Sequence, residues 1–314
     1  MGVYEHLQTF HGLKTARFGT EQAPAGEQVA WRLAIEAWDS DESFAELWDR
    51  FLSTVDTSGL TALVFGLWGE AGEDDTVQVA IDCLVAAKDR FPALTGIFLG
   101  DIVGEESEIS WIKQDDITRV LTEFPALTEL GVRGGDGLEL APVRHQKLRT
   151  LVIETGGLPR EVVSAVGQSD FPALTELRLW FGVPEYGGNW QPEDLQPLLA
   201  GGKLPALRHL GLQNSEEQDT ICDLVADAGI VRQLETLDLS MGVLRDPGAR
   251  ALLAGQSLTH LKTLDLTHHF LSGEVQQQVR DALEPAGVRV ILEGGESPDI
   301  GDDKEVYYYT AVAE

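Results

Sequence analysis

The chain contains 314 residues, of which 52 are acidic and 23 are basic, so its formal net charge at pH 7 is -29. This charge repels nucleic acids and anionic membrane surfaces, and it favours positively charged partners. No apolar stretch approaches the ~20 residues that cross a bilayer. The first residues also lack the basic segment followed by an apolar one that marks a secretory signal. We therefore expect a cytoplasmic protein that binds neither nucleic acids nor membranes.

Residues 1–57 are predicted to form an N-terminal cap. Within it, residues 5–10 are expected to form a helical turn, and the alternation of apolar and mixed residues over 29–38 predicts a strand. A helix is predicted over 41–54 because four large apolar residues there share one face: Phe44, Leu47, Trp48 and Phe51. The expected N-cap of this helix is Ser40 or Asp41. Together these elements would close the exposed end of a repeat core.

The motif L-x-x-L-x-L begins at Leu234 and again at Leu261. Six earlier copies give eight in all, with first leucines at Leu60, Leu94, Leu127, Leu148, Leu174, Leu207, Leu234 and Leu261. A period of roughly 20–50 residues indicates stacked repeats, because each unit needs its neighbours to bury its apolar face. Residues 58–292 are therefore predicted to hold about eight repeats and a final strand at 287–292.

The motif also predicts the arrangement within a repeat. Side chains alternate along a strand, so the second and third apolar positions point into the core and the residues between them point outwards. A helix then returns the chain, as predicted over 244–253, where Pro247 suits the first turn. The predicted fold class is α/β, a horseshoe-shaped solenoid with parallel strands on the concave face and helices on the convex face.

These motifs resemble the leucine-rich repeat superfamily over about residues 60–292. Leu244 and Gly248 match the spacing of the helix-containing, ribonuclease-inhibitor-like subclass, although most repeats lack that subclass's usual asparagine after the third apolar position. Three stretches resemble a bacterial leucine-rich-repeat family more narrowly: Glu5-His6-Leu7, Trp31-Arg32-Leu33 and Leu60-Thr61-Ala62-Leu63. The resemblance implies the repeat fold and no particular activity.

Residues 293–314 are predicted to form an acidic linker and a C-terminal tail. The stretch from Glu293 to Lys304 is rich in glycine and acidic residues, which is typical of a mobile linker. Three consecutive tyrosines, Tyr307 to Tyr309, follow it. They belong either to a strand that closes the C-terminal cap or to an exposed tail that inserts into a partner.

Two repeats are longer than their neighbours, and each carries a tryptophan at a comparable position. Trp111 follows Leu94 at nearly the same interval at which Trp190 follows Leu174. Long loops on a rigid scaffold commonly carry recognition, so both loops are predicted binding elements. The alternative is that each indole packs on its own helix. The densest aromatic cluster of the chain lies in the second loop: Trp180, Phe181, Tyr186 and Trp190.

The outward positions of the strands predict a surface for a protein or peptide. These positions mix aromatic, basic and acidic side chains, as protein interfaces do. The candidate binding residues from this face and from the two loops are Trp111, Arg133, Glu154, Arg178, Trp180, Phe181, Tyr186, Trp190, His209, Asp238 and Asp265.

Recognisable catalytic motifs are absent from the sequence. It contains no phosphate-binding loop and no H-E-x-x-H, G-x-S-x-G or C-x-x-C motif, so we predict no catalytic residue, cofactor or metal. Cys83 and Cys222 lie in similar helical contexts and are expected to be buried apolar residues. Asp238 and Asp265 are expected about 5 Å apart on neighbouring strands. Such a pair can share a proton or hold a cation, but a solvated face is its expected role.

Three functions are consistent with these features. The favoured one is a non-catalytic module that binds a protein or peptide with its concave strand face and its two tryptophan loops. The first alternative is an acidic inhibitor or immunity-type protein that caps a basic enzyme, supported by the net charge. The second is an enzyme with a carboxylate site on the concave face. The acidic charge either attracts a basic partner or only maintains solubility.

Overall fold

The computed structural model describes residues 3–20, 28–38, 40–69, 75–301 and 304–313. The chain divides into two compact units, which meet in sequence between Glu154 and Thr155. The boundary falls inside the predicted repeat region 58–292. Parts of the predicted cap (1–2, 21–27 and 39) and of the predicted tail (302–303 and 314) lie outside the described residues.

Unit 1 contains seven strands and three α-helices among its described residues. The strands are β1 (Thr9–Phe10), β2 (Leu13–Arg17), β3 (Ala30–Leu33), β4 (Ala62–Phe65), β5 (Gly96–Leu99), β6 (Glu129–Arg133) and β7 (Thr150–Glu154), and the helices are α1 (Phe44–Thr54), α2 (Gln78–Ala86) and α3 (Thr118–Glu123). Strands β2 to β7 pair in parallel in chain order, and β1 pairs with β2 as an antiparallel hairpin. The short interval between β6 and β7 contains no helix, which explains why Leu127 and Leu148 are more closely spaced than the other repeat leucines.

Unit 2 continues the same alternation. Its strands are β8 (Glu176–Gly182), β9 (His209–Ser215), β10 (Thr236–Asp238), β11 (Thr263–Asp265), β12 (Arg289–Ile291), β13 (Asp299–Ile300) and β14 (Val306–Tyr307), and its helices are α4 (Arg160–Gln168), α5 (Pro192–Leu199), α6 (Gln218–Ala226), α7 (Asp246–Ala254) and α8 (Gly273–Leu283). Strands β8 to β12 are parallel and ordered as in the chain, whereas β13 and β14 form a separate hairpin.

The repeat leucines set the register of the strands in both units. Leu177, Leu210, Leu237 and Leu264 lie side by side on β8 to β11, and each is at most 1% exposed. The helices cover this face: in unit 1, for example, the ring of Trp48 on α1 lies 6.1 Å from that of Phe65 on β4. The opposite side of each sheet is called the strand face below. The predicted α/β leucine-rich repeat fold is confirmed.

The elements of the cap are shorter than predicted. The strand predicted over 29–38 is limited to Ala30–Leu33, because β4, its partner, ends opposite Leu33. The helix predicted over 41–54 begins at Phe44, because Ser43 rather than Ser40 or Asp41 is its N-cap. The Ser43 backbone N–H donates to the Glu46 carboxylate at 2.8 Å, and the Ser43 hydroxyl accepts from the Glu46 N–H, so a capping box marks the start of the helix.

The predicted linker and tail are hydrogen bonded to unit 2. The His268 N–H donates to the Glu293 carbonyl, and the Glu296 N–H donates to the His269 carbonyl, at 2.9 and 2.8 Å. The tyrosine strand β14 pairs with β13 rather than extending the repeat sheet. Residues after it pack on unit 2, and Val312 is only 6% exposed.

Candidate functional site

The strand face of unit 1 is covered by the chain's own N-terminal hairpin. Phe10 of β1 packs edge-on against Phe98 of β5, with ring centroids 5.8 Å apart. The residues beneath the hairpin are mostly small and are 4% exposed or less: Ala30, Ala62, Val64 and Phe98. Residues 5–10, predicted as a helical turn, instead lead into and include β1.

The tip of this hairpin is fixed by residues of unit 1. His11 and Gly12 have φ of 52° and 73° and form the two-residue turn between the paired residues Phe10 and Leu13, as in tight hairpins of the primed type. The His11 ring contacts the Glu129 carboxylate at 2.7 Å. A Cβ at position 96 would lie 2.7 Å from that ring, so the glycine there makes room for it.

A buried ionic cluster anchors the segment that precedes the hairpin. Asp101, which is fully buried, accepts a hydrogen bond from Arg32 Nε at 2.9 Å, and its other oxygen lies 3.6 Å from Arg133 Nη1. The same carboxylate accepts the backbone N–H of Leu7 at 3.0 Å. Burial raises the pKa of Asp101, but His6, Arg32, the Leu7 N–H and Arg133 outweigh it and lower the pKa below its ordinary value.

Two predicted binding residues belong to this buried region. Arg133 is fully buried, and its Nε donates to Glu154 at 2.8 Å. The Glu154 side chain is only 14% exposed. The prediction that Arg133 and Glu154 contact a partner is wrong, because the two side chains form an ion pair with each other within unit 1.

The strand face of unit 2 carries exposed polar side chains on β8 and β9, although Trp180 and Gln213 farther along these strands are buried. Arg178 on β8, whose side chain is 53% exposed, forms an ion pair with Glu176, and His209 on β9 is also exposed. Asp238 on β10 and Asp265 on β11 are direct partners in the strand register, as predicted, and both are half-buried. Arg178, Asp238 and Asp265 share one register row, in which Gly211 is the β9 residue, and His209 lies two residues earlier, opposite Glu176.

Asp238 is the electrostatically perturbed member of this face. Burial raises its pKa above the ordinary value, and the neighbouring charge of Asp265 raises it further, against the hydrogen bonds from Ser240. The Gln213 Nε2 atom donates to the Ser240 hydroxyl at 2.9 Å. The Gln213 Oε1 atom is buried and has no hydrogen-bond partner among the described residues. The half-buried carboxylate of Asp238 is therefore the poorly solvated group of this face.

The predicted aromatic cluster is mostly buried. Trp180, Phe181 and Trp190 are 6%, 0% and 8% exposed, and the Phe181 and Trp190 rings meet edge-on at 5.2 Å. Tyr186 is half-buried. The long loop folds back on its own unit, because the Val183 N–H donates to the carbonyl of residue 156 at 2.8 Å. Three of the four residues therefore pack in unit 2 and are not contact residues.

The other long loop presents its tryptophan differently. Trp111, in a short 3-10 helix of unit 1, is 69% exposed. The two loops are therefore not equivalent, although their tryptophans lie at similar distances from the repeat leucine. Of the two cysteines expected to be buried, Cys222 is buried and Cys83 is only half-buried. Burial raises the pKa of both thiols, which makes them poor nucleophiles at neutral pH.

A cavity of about 540 Å³ opens beside the folded loop of unit 2. Pro184, Trp190, Glu216 and Glu217 contribute to its wall. Burial, together with the charges of Glu185 and Glu217, raises the pKa of Glu216. In the described part of the chain no group of three or more His, Cys, Asp or Glu side chains is placed to hold a metal ion, and no helix is long and apolar enough to cross a membrane.

The fold is shared with solved structures. A protein from Bacteroides fragilis, whose crystal structure was a target of the Northeast Structural Genomics Consortium, is 32% identical to this chain with a TM-score of 0.78, and the match covers 91% of this chain and 78% of that one. A leucine-rich repeat protein from Leptospira interrogans is 14% identical with a TM-score of 0.36, over 83% of this chain and 53% of that one, a likeness that supports no inference. No protein-family profile and no curated protein matches the chain.

Proposed function

Since this chain belongs to the leucine-rich repeat superfamily, and within it to the family of the Bacteroides fragilis protein, we propose that it is a non-catalytic module that binds a protein or peptide on the strand face of unit 2. The observation that supports the proposal is the group of charged side chains on that face: Arg178 and His209 are exposed, and Asp238 and Asp265 are half-buried on the next two strands. Exposed arginine is enriched at protein interfaces, and strand positions on a rigid sheet hold it in a fixed arrangement.

The chemistry of this face favours a partner with its own mixed charges. Asp238 and Asp265 can accept from a basic side chain, and a nearby cation would relieve the cost of keeping Asp238 ionised. Arg178 can bind a carboxylate in return. The net charge of -29 steers basic partners to the protein over longer distances. We place the protein in the cytoplasm as part of this proposal.

The test is capture of a partner from an extract of the native cell by two matched double variants. Arg178→Ala/Asp265→Ala alters the strand face of unit 2, whereas Arg250→Ala/Glu274→Ala removes two exposed charges from the helix side of the same unit. We expect the first variant to weaken binding at least about tenfold, equivalent to about 1.4 kcal/mol, and the second to leave it unchanged.

Either of two results would contradict the proposal. One is that wild-type protein captures no stoichiometric partner. The other is that a captured partner is lost from the helix-side variant and retained by the strand-face variant. Both variants keep unit 2 folded if their melting temperatures match the wild type, which makes the comparison interpretable.

A second candidate function is an acidic inhibitor or immunity-type protein that caps a basic enzyme. The net charge favours it. A complex held mainly by charge weakens steeply as salt is raised, because the Debye length falls from about 10 Å at 0.1 M to about 3 Å at 1 M. Retention of the partner at 1 M salt would exclude this candidate and keep the first.

A further inference from the structure

Three consecutive repeats of unit 2 share an uncommon backbone conformation. Asn214, Met241 and His268 are evenly spaced along the chain and have φ of 56°, 70° and 58°. Positive φ is strained for a residue other than glycine, and such conformations cluster at binding sites. These three residues are called the turn ladder: Asn214 lies near the end of β9, and Met241 and His268 each lie three residues after the end of β10 and β11.

The chain's own C-terminal segment crosses the turn ladder. The Tyr309 carbonyl lies 2.9 Å from His268 Nε2, and the Ala311 N–H donates to the Met241 carbonyl at 2.8 Å. The next contact is with Asn214, the third member. Residues 308–312, called the strap, thus contact all three members in reverse chain order.

Asn214 binds the backbone of the strap through its side-chain amide. This side chain is fully buried, and both polar atoms of the amide bond to Val312: Oδ1 accepts the N–H at 3.0 Å, and Nδ2 donates to the carbonyl at 2.6 Å. These hydrogen bonds are made to the peptide backbone and not to a particular side chain. An extended segment with another sequence can make the same bonds.

One side chain of the strap is read more specifically. The Tyr308 ring meets Phe270 edge-on with centroids 5.0 Å apart, and the Arg245 guanidinium lies 5.4 Å from the centre of the same ring. At the other end of the strap, Val312 is 6% exposed. The strap thus places an aromatic side chain against Phe270 and Arg245 and, four positions later, a small buried aliphatic one.

We propose that the turn ladder is a binding groove for an extended peptide of this pattern, presented by a partner protein, and that the strap is an internal ligand which the partner displaces. This proposal goes beyond the proposed function, because it adds a second site, outside Arg178 and Asp265 of the strand face, and the chemistry of the peptide that binds there. A tethered ligand competes at an effective concentration on the order of millimolar, so the strap sets the affinity threshold for any external peptide.

The test measures binding of a fluorescent synthetic peptide with the sequence of residues 305–313 by anisotropy. The full-length variant Tyr308→Ser/Val312→Gly weakens the strap and leaves the ladder intact. We expect this variant to bind the peptide at least about tenfold more tightly than wild type, because its internal competitor is weakened. Equal or weaker binding than wild type would overturn the proposal.

Two further changes, each made in the strap-weakened chain, test the groove itself. Asn214→Gly removes the amide while allowing the positive φ, and Arg245→Ala removes the cation beside the aromatic ring. We expect the first change to reduce peptide affinity at least about tenfold and the second about threefold. Gln277→Ala, on the exposed surface of α8, is the matched control and should have no effect. Full affinity in both groove variants would overturn the proposal.

The outcome is separable from that of the proposed function. Arg178→Ala/Asp265→Ala lies outside the ladder, so in the strap-weakened chain it should leave peptide binding unchanged. If the strand face captures a partner but the peptide never binds, the proposed function stands and the groove is rejected. If the peptide binds and no partner depends on the strand face, the groove stands as a site in its own right.

Discussion

The strand faces of the two units have the same backbone and opposite surroundings. In unit 1 the outward positions carry Ala62 and Val64, both 0% exposed, and the N-terminal hairpin lies over them. In unit 2 the outward positions carry Arg178 and His209, which are exposed. In unit 1 this face is part of a core, whereas in unit 2 it carries exposed charged side chains.

This contrast shows how one repeat scaffold can be either closed or open. Small outward residues leave room for another segment, as the glycine at position 96 does for the His11 ring. Charged outward residues oppose such packing unless they are paired, as Arg32 and Arg133 are with Asp101 in unit 1, because burying them unpaired is costly. The outward residues and their partners, rather than the leucines, therefore distinguish the two faces.

The largest expected effect comes from breaking the ionic cluster of unit 1. Asp101→Asn leaves Arg32 and Arg133 buried without their shared carboxylate. Removing one partner from a buried charge group costs about 3–5 kcal/mol, so we expect a loss of this size in the free energy of unfolding. Chemical denaturation measures it, with Asp265→Asn on the strand face of unit 2 as the control, for which we expect a change of about 0.5 kcal/mol or less.

The second prediction concerns the hairpin that closes the face of unit 1. Phe10→Ala removes the ring that packs on Phe98 and should cost about 3 kcal/mol, the lower end for a buried phenylalanine. Trp38→Ala in the same unit removes an aromatic that is 66% exposed and should change stability by about 0.5 kcal/mol or less. Similar losses in the two variants would show that the hairpin does not form a core.

The third prediction contrasts the two units on acidification. The folded pKa of Asp101 lies below its ordinary value of 3.8, so its stabilising contribution is present above pH 3.8 and is lost as the pH falls through the folded pKa. The folded pKa of Asp238 lies above 3.8, so its contribution is complete below pH 3.8 and is lost as the pH rises through the folded pKa. Hydrogen exchange, corrected for intrinsic rates, should therefore show unit 1 opening first below about pH 4. Earlier opening of unit 2 would contradict both assignments.

The smallest expected effect is on the melting temperature, and it follows from the raised pKa of Asp238. Asp238→Asn removes a carboxylate that burial holds at a raised pKa, so the variant should melt at a slightly higher temperature than wild type at pH 7. A fall in the melting temperature would show that the ionised carboxylate stabilises unit 2. Titration of Asp238 in the wild-type protein also tests the enzyme alternative, since a working acid or base requires a strongly shifted group.

The sequence was sufficient to predict the repeats and their strand registers, because the leucine motif recurs with the alternation that a half-buried strand requires. It was not sufficient to predict which strand faces are covered. Arg133 was placed in a binding surface because nothing local reveals Asp101, a partner in the preceding repeat. A usable signal was present in the small outward residues of unit 1, such as Ala62, which leave space for the hairpin.

The sequence was also not sufficient to predict how the aromatic loop and the C-terminal tail pack, for a related reason. The cluster around Trp190 was predicted as a contact surface from its composition alone, but contacts with residues far along the chain fold it onto unit 2. From sequence, the tail that contains the strap can be either a closing strand or an exposed segment, because the partners of the strap are single residues in three separate repeats. Pairing over such distances leaves no periodic pattern that a sequence can display.

The contrast between a closed and an open strand face is tested most directly by thiol labelling at two equivalent positions. Ala62 and His209 each lie just before the second leucine of their repeat, and each is replaced by cysteine in a Cys83→Ser background. We predict that the thiol at position 209 reacts at the rate of a free thiol and the one at position 62 at least ~100-fold more slowly, because it reacts only when the hairpin opens. Equal rates at the two positions would contradict the account.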